Sequence, residues 1–530
     1  MNNEKLTAAA FLMSMEKANP VYIDNAFSSE SQNPVQTKVI TKKINDMENR
    51  PREKHYTAVW DKVHSQLMRA NDAADITTNT ENFAIHGSAN ANYNNPFDNI
   101  YPWCQRKICN VDVGKYLTLQ SGSRIVECVK YWEGDAQFSY DDQNGVWVYT
   151  PEFWGKTWDD GTYRYFDVCD QEMRGYVHYP ERIEGRWFGV LRTITVNGSS
   201  KTCLLPATGN LSTNNIVMRE VLTAARNYGG TIESIHNVDA TNMLAIVEYA
   251  TVNFKNALGL SPVDLLVCED NTVQENVTSG NVVKILASAG QGVCVPNAMF
   301  GVSTRIGDAV TGAGRIVSVQ QDPDNSDLLD VTLDSTVTAT TSNYWVLCGI
   351  INLADEIIGS KSGYCGVNGK SNVYYRGQVF YGNRSRQLLG VFKREDTNSI
   401  WIASNDQIAD TTSGEVYTGW VDTGLAIPGE YTTDYESHKI NAIGILPEND
   451  PLIEGRAAAL PICTAIDADT PDPFGDVLIK RIIPGYTRYP MLFSAFPRIR
   501  NASGRFCTCY GLGEISNTWW VSAIPVLRAK

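Results

Sequence analysis

The sequence has no long apolar run and no secretory signal at its start. No stretch approaches the ~18 apolar residues that a membrane-spanning helix needs. The first four residues lack the basic start of a signal peptide, and the apolar stretch Ala8–Met15 is short and followed by charge. We therefore expect a protein that is made and folds in a cytoplasm, with no insertion into a membrane.

Positive charge is also scarce. The 45 Lys and Arg residues stand against 59 Asp and Glu residues, for a net charge of −14. A polyanionic nucleic-acid backbone is a poor partner for such a chain. The sequence therefore predicts no nucleic-acid binding.

Motifs that carry chemistry are missing. None of the 12 cysteines forms a CxxC pair, the only close pair is Cys507–Cys509, and none of the 6 histidines has the spacing of metal ligands. Most cysteines are therefore expected to be small buried apolar residues. The acidic stretches 269–270 and 467–476 leave calcium open, although such loops are more often simply solvated. No nucleophile elbow, phosphate-binding loop or dinucleotide fingerprint is present, so we expect no cofactor, no metal and no enzyme.

The amino-terminal part has helical patterns. Pro34 stands at a helix start, and the apolar stripe Val35, Val39, Ile40, Ile44 and Met47 follows it. A stripe this narrow on a short helix needs partner helices, which predicts a coiled coil and a homotrimer. A second helix is predicted over 53–74, and the polar stretch after it reads as a linker.

From about residue 110 the pattern changes to short strands. A hairpin is predicted between 126–132 and 145–149, because D-D-Q-N-G separates them. Two helices follow, one over 213–228 and one opened by Asp239 and closed by Gly259, with Met243, Ile246, Val247, Ala250 and Phe254 in the core. Residues 261–347 read as a small all-β module.

Four blocks of the sequence together resemble one family. They are V-W-V-Y-T-P-E-F-W through F-G-V (146–190), A-A-R-N-Y-G-G through N-A-L-G (224–259), Y-Y-R-G-Q-V-F-Y-G-N (374–383) and the terminal G-R-F through W-W-V-S-A. In this order they look like phage receptor-binding proteins with a C-type-lectin-like, formylglycine-generating-enzyme-like domain, many of them variable proteins of diversity-generating retroelements. Gln378 stands where that family usually has an acidic residue. Residues 31–39 also resemble an element of phage tail and head fibre proteins.

The patterns and the resemblance together predict an α+β protein. The expected order is a helical attachment and oligomerisation region with a coiled coil (1–75), a linker (76–109), a C-type-lectin-like domain in two parts (110–260 and 348–530), and an inserted β-rich subdomain (261–347).

The terminal segment 496–530 is the expected binding site. Apolar anchors alternate there with Arg, Tyr and Trp, the residues that dominate binding energies. The anchors expected to hold the frame are Phe506, Leu512, Val521 and Val526. The residues expected to face a host-surface receptor, protein or glycan, are Arg498, Arg500, Asn501, Arg505, Thr508, Tyr510, Asn517, Trp519 and Trp520.

Three hypotheses about function stay open at this point. The first is a receptor-binding tail fibre protein in the virion, which contacts other virion proteins through its amino-terminal region. The second is a structural component, such as a head fibre or a baseplate protein, whose terminal aromatics contact another virion protein. The third is a formylglycine-generating-type oxidase using Cys507 and Cys509. The C-x-C spacing argues against it, because that family has C-x4-C.

Overall fold

A computed structural model describes residues 54–77, 95–206, 218–258, 271–291, 299–304, 310–347, 373–382, 385–394, 399–404, 419–426 and 521–530, with a few single positions. Between 436 and 510 it describes only the backbone of six strands. Residues 54–530 belong to one compact unit. The predicted coiled coil over 35–47 and the fibre-like element over 31–39 lie outside the described residues.

The first sheet is antiparallel and five-stranded, in the order β2-β1-β7-β6-β8. Its strands are β1 (His55–Asp61), β2 (Gln66–Asn71), β6 (Phe153–Asp159), β7 (Tyr163–Cys169) and β8 (Val177–Tyr179). The predicted helix over 53–74 is therefore wrong. Val63, in the turn between β1 and β2, is 71% exposed, whereas Tyr56, Ala58 and Trp60 of β1 are buried. Pairing of β1 with β7 along its whole length outweighs the local helical pattern.

A second, six-stranded sheet has the order β12-β30-β9-β5-β3-β4. Its strands are β3 (Lys107–Val111), β4 (Val129–Trp132), β5 (Val146–Thr150), β9 (Arg182–Gly185), β12 (Thr231–Ile232) and β30 (Pro525–Arg528). The predicted hairpin is wrong, because β3 lies between β4 and β5 and pairs with both. Residues 95–109 are not a linker either, since Phe97 and Trp103 are fully buried.

The helices are short apart from one. They are α1 (Val113–Thr118), α2 (Met218–Arg226), α3 (Ile235–Tyr249), α4 (Phe254–Leu258) and α5 (Ala287–Gly290), with single 3-10 turns at Pro96–Asn99, Trp103–Gln105 and Ile125–Cys128. The predicted helix over 213–228 is confirmed where it is described. The next helix begins earlier than predicted, because Ser234 caps it with Asn237 in a capping box, and it breaks at Ala250, whose φ is +48°.

Helix α3 is the centre of the main core. All of its residues are buried, including the predicted core residues Met243, Ile246 and Val247. The helix is not apolar on every side, since His236, Asp239 and Glu248 are buried on it as well. Asp239 and Glu248 accept hydrogen bonds from the hydroxyls of Tyr179 and Tyr375. One part of α3 packs against β1 and β7, and another part packs against a strand of the third sheet, β20 (Ser385–Arg394).

That third sheet contains eight strands, in the order β22-β21-β20-β27-β28-β26-β23, with β29 parallel to β20. Besides β20, its strands are β21 (Ser399–Ala403), β22 (Trp420–Ala426), β23 (Glu436–Lys439), β26 (Val477–Lys480), β27 (Arg488–Ala495), β28 (Ser503–Tyr510) and β29 (Val521–Ser522). The described residues also include three separate two-stranded ribbons: β10 (Gly189–Val196) with β11 (Ser199–Pro206), β18 (Val373–Tyr375) with β19 (Gln378–Tyr381), and β24 (Ala442–Ile443) with β25 (Pro461–Ile462).

Within 261–347, the range predicted to be a small all-β module, the described strands form one five-stranded sheet beside the short helix α5. The strand order is β13-β16-β15-β14-β17. The five strands are β13 (Val277–Leu286), β14 (Met299–Ser303), β15 (Val310–Gln321), β16 (Leu328–Ala339) and β17 (Tyr344–Leu347). The module has a hydrophobic cluster of its own, in which Phe300 stacks on Trp345 at 5.7 Å between ring centroids. The fold is thus β-rich with a few helices.

Candidate functional site

The carboxy-terminal segment contributes strands to two of the sheets. Strand β28 is an interior strand, antiparallel to β27 and parallel to β26. Farther along, β29 pairs with β20, and β30 lies between β9 and β12 in the six-stranded sheet. The end of the chain therefore joins the eight-stranded sheet to the six-stranded one.

The predicted site residues fall on this segment as follows. Arg505, Thr508 and Tyr510 lie on β28, where Thr508 pairs with Phe493 of β27 and with Leu478 of β26. Arg498, Arg500, Asn501, Asn517, Trp519 and Trp520 lie outside the described residues. The structure therefore describes the strands that hold this segment. The exposure of all the predicted side chains, on β28 and beyond it, stays a prediction.

The last residues anchor the frame. Ala523, Ile524, Val526 and Leu527 are all at least 99% buried, so the predicted anchor Val526 is confirmed. Burying a large aliphatic side chain contributes roughly 1.5–3 kcal/mol. The other predicted anchors, Phe506, Leu512 and Val521, lie outside the described side chains.

A buried ion pair fastens the tail to the core. Arg386 donates through Nη1 to both carboxylate oxygens of Glu233 at 3.0 Å, and both side chains are fully buried. The backbone N–H of Glu233 donates to the carbonyl of Ile524 at 2.9 Å. Arg386 itself lies opposite Ser522 in the β20–β29 pairing. Both members of the pair are thus held against the terminal backbone.

A second buried ion pair holds the turn that the sequence motif Y-R-G marks. Arg376 donates from Nε and Nη2 to the two oxygens of Glu248, each at 2.7 Å, and its Nη1 donates to the carbonyl of Trp103 at 3.1 Å. The hydroxyl of Tyr375 donates to the same carboxylate at 2.8 Å. Burial by itself lowers the pKa of Arg376, but the charge and hydrogen bonds of Glu248 outweigh burial, so the guanidinium pKa is raised.

The backbone of this turn explains the glycine of the motif. Tyr375 pairs with Gln378 across a two-residue loop, and both loop residues have positive φ, +44° at Arg376 and +86° at Gly377. Such loops match the twist of the flanking strands. A non-glycine residue in this region costs roughly 1–2 kcal/mol. The buried carboxylate of Glu248 offsets that cost at Arg376.

Gln378, where the resembling family has an acidic residue, is part of a third buried cluster. Its side-chain oxygen accepts a hydrogen bond from Nη2 of Arg106, and Nη1 of Arg106 donates to Thr150 Oγ1 at 3.0 Å. Glu184 lies 3.9 Å from Arg106 and 3.2 Å from Arg182. Burial lowers the pKa of Arg106 to about 10, although Glu184 opposes the shift. The cluster thus takes its negative charge from Glu184.

The charged groups of these clusters are buried and lie close to groups of opposite charge, so they link parts of the chain that are distant in sequence. Among the described residues no group of three or more His, Cys, Asp or Glu side chains is placed to hold a metal ion. Five of the six described cysteines are buried, as predicted, and burial raises the pKa of the Cys128 thiol to about 12.

The sequence patterns missed the partners of these arginines. Arg376 was visible in a motif, but Glu233, Glu248 and Glu184 carried no signal. Each sits in a stretch that reads as ordinary helix or strand, and its partner among Arg386, Arg376 and Arg106 is far away in sequence. Arg386 and Glu233, for example, are 153 residues apart.

No protein-family model matches this sequence, and no curated protein matches it either. In the part of the chain that the structure describes, no helix is both long enough and apolar enough to cross a membrane.

Proposed function

We propose that this chain is an attachment protein of a bacteriophage virion, which binds a host-surface receptor through its carboxy-terminal segment. The observation that carries the proposal is the way in which this segment is held. Strands β28, β29 and β30 belong to two sheets, and the segment ends in consecutive buried anchors. We expect strands held in this way to tolerate changes of side chain in the residues that connect them.

Rigidity is what a binding segment of this composition needs. Arg, Tyr and Trp bring large contact areas, but a mobile loop loses much of that energy when it is ordered on binding. Here the Arg386–Glu233 ion pair and the burial of Ile524 lie directly beside the segment. The resemblance to phage receptor-binding proteins with a C-type-lectin-like domain supports the same function, with the amino-terminal region attached to other virion proteins in a homotrimer.

The test is adsorption by virions that carry Trp519→Ala and Trp520→Ala in this protein. We expect intact particles that bind host cells at least tenfold more slowly than wild type. Trp132→Ala serves as the control, because Trp132 is a half-buried tryptophan of β4, outside the terminal segment. Failed particle assembly in the Trp519 and Trp520 variants would instead support a structural role within the virion.

A further inference from the structure

The five-stranded sheet has a second face that the described chain covers only in part: Asp167 there is 1% exposed and bonded by His55 and Tyr176, whereas the residues of β6 on this face are half-buried. Along β6 the residues alternate: Phe153, Gly155 and Thr157 are buried, whereas Trp154, Lys156 and Trp158 are half-buried. The buried side belongs to the core around α3. The opposite side, which we call the aromatic face, carries Trp154, Lys156, Trp158, Tyr165, Asp167 and His178.

Two stacked ring pairs mark this face. Trp154 stacks on His178, with 4.9 Å between centroids and 27° between planes. Trp158 stacks on Tyr165, with 4.7 Å between centroids and 2° between planes. Four residues along a strand span about 13 Å. Two aromatic stacks therefore stand about that far apart along β6, with Lys156 between them.

Hydrogen-bond donors on the face are in excess. Within the described part of the chain, the indole N–H groups of Trp154 and Trp158 and the ammonium of Lys156 make no hydrogen bond or ion pair. Asp167 lies opposite Lys156 in the pairing of β6 with β7. Its carboxylate is already occupied, because His55, Thr57 and Tyr176 all bond to it. The complementary ligand is therefore rich in acceptors.

The charge at the centre of the face favours a glycan over a protein partner. Protein interfaces are depleted of charge at their centre and depend on apolar contact there. Here a lysine lies at the centre. Of the large apolar side chains that are exposed in the described residues, only Met68 lies on the strands of this sheet. A sugar ring has a flat C–H surface for an aromatic ring and a rim of oxygen acceptors, which matches both features of the face.

We propose that the aromatic face binds a glycan, as a short run of hexose units that contacts Trp154 and Trp158 and accepts hydrogen bonds from Lys156. This is a binding site separate from the terminal segment, and it goes beyond the function proposed above. The stacked aromatic side chains contact the flat faces of the sugar rings. The N–H donors between the two stacks select for the hydroxyl and ring oxygens of the sugar. Because β6 is an interior strand of a packed sheet, the site is formed before the ligand arrives.

The test is titration of the full-length chain with maltohexaose, cellohexaose, chitohexaose and a hexamer of galacturonic acid, followed by tryptophan fluorescence and calorimetry. We expect binding of at least one hexamer. Trp154→Ala and Trp158→Ala should each weaken that binding at least tenfold, and Lys156→Met should also weaken it. Trp132→Ala, in another sheet, should leave it unchanged.

Two further measurements make the result decisive. Thermal unfolding shows whether the alanine variants fold, and Trp154→Phe should keep most of the affinity because it keeps an aromatic ring. Binding of none of the four hexamers, or binding that survives both alanine substitutions, overturns the proposal. Self-association that disappears in Trp154→Ala would also overturn it, because the face would then be a contact between copies. The Trp519 and Trp520 variants should still bind the hexamer, so this proposal and the terminal-segment proposal fail independently.

Discussion

Arg376 and Glu248 are 128 residues apart in the sequence and meet in a fully buried, two-point ion pair. The arginine sits in a tight turn between β18 and β19, and the glutamate lies near the end of α3. Through Asn95, Trp103 and Tyr375, the same pair also contacts the chain before β3 and the β18 strand. One carboxylate thus ties together the central helix and two distant parts of the chain.

Replacing the carboxylate of Glu248 by a neutral amide should lower the free energy of unfolding. Glu248→Gln leaves the guanidinium of Arg376 buried without its counter-charge, and breaking such a pair on one side typically costs about 3–5 kcal/mol. We expect the free energy of unfolding in urea to fall by that amount. Glu275→Gln is the matched control, because Glu275 is 64% exposed and 3.5 Å from Lys284. A loss below about 0.5 kcal/mol is expected there. Equal losses in both variants would contradict the assignment.

The Arg386–Glu233 pair should protect the tail locally. In Glu233→Gln, Arg386 loses its charged partner, and Arg386 lies opposite Ser522 of β29. We expect faster amide hydrogen exchange over 523–528 than in the wild-type protein, measured by mass spectrometry at neutral pH. Glu220→Gln removes the same charge from an exposed position on α2 and should leave that exchange unchanged. Unaltered protection in Glu233→Gln would show that the apolar anchors alone hold the segment.

A substitution at Gly377 tests how little room the Y-R-G turn leaves for a side chain. An alanine there meets both a left-handed backbone, φ +86°, and Ile108, whose Cγ1 would lie 2.6 Å from the new Cβ. Gly122→Ala is a close control, since its φ is +84° and nothing lies within 4 Å. Backbone strain of roughly 1–2 kcal/mol is common to both variants. We expect Gly377→Ala to lose a further 1–3 kcal/mol, roughly, from overpacking, as measured by urea unfolding. Similar losses would mean that Ile108 moves aside freely.

The carboxyl group of Asp159 should make the free energy of unfolding depend on pH in the acid range. Burial alone raises its pKa, but bonds from Lys62 at 2.6 Å, from the Gly161 amide and from Arg164 at 3.2 Å outweigh burial and lower it. A carboxyl whose pKa is lower when folded stabilises the protein above its unfolded pKa, about 3.9. That contribution is lost as the pH falls through the folded pKa.

The measurement compares wild type with Asp159→Asn by thermal unfolding between pH 7 and about pH 2.5. The wild-type advantage should be full near neutral pH and should shrink below about pH 4. Lys62→Gln removes one of the groups that lower the pKa, so its loss of stability should begin at a higher pH. A wild-type advantage that stays constant over the whole range would contradict the role of the carboxylate.

Patterns local to a segment were readable without the structure. The apolar spacing of Met243, Ile246 and Val247 predicted a core helix, because a helix buries residues that recur every three or four positions. The five-stranded sheet of β13 to β17 was visible as closely spaced strand and turn signals. Val526 was predicted to be buried because the terminal anchors alternate with polar residues. Each of these signals lies within about twenty residues.

Features that depend on distant partners were not readable. Residues 55–71 carry a pattern compatible with a helix, but they form the hairpin β1–β2, and β1 also pairs along its whole length with the distant strand β7. Likewise, β3 separates two strands that look like a hairpin. The two candidate sites differ in the same way. The composition of the terminal segment indicated a binding site, whereas the aromatic face forms only because β6, β7 and β8 lie side by side.

The sequence alone thus determined which segments are apolar, where turns fall and where binding-type residues are concentrated, because those properties belong to neighbouring residues. Only the tertiary structure decided which strands pair and which carboxylate meets each buried arginine. Those choices depend on the burial of charge and on strand register, and both are settled between parts of the chain that are far apart in sequence.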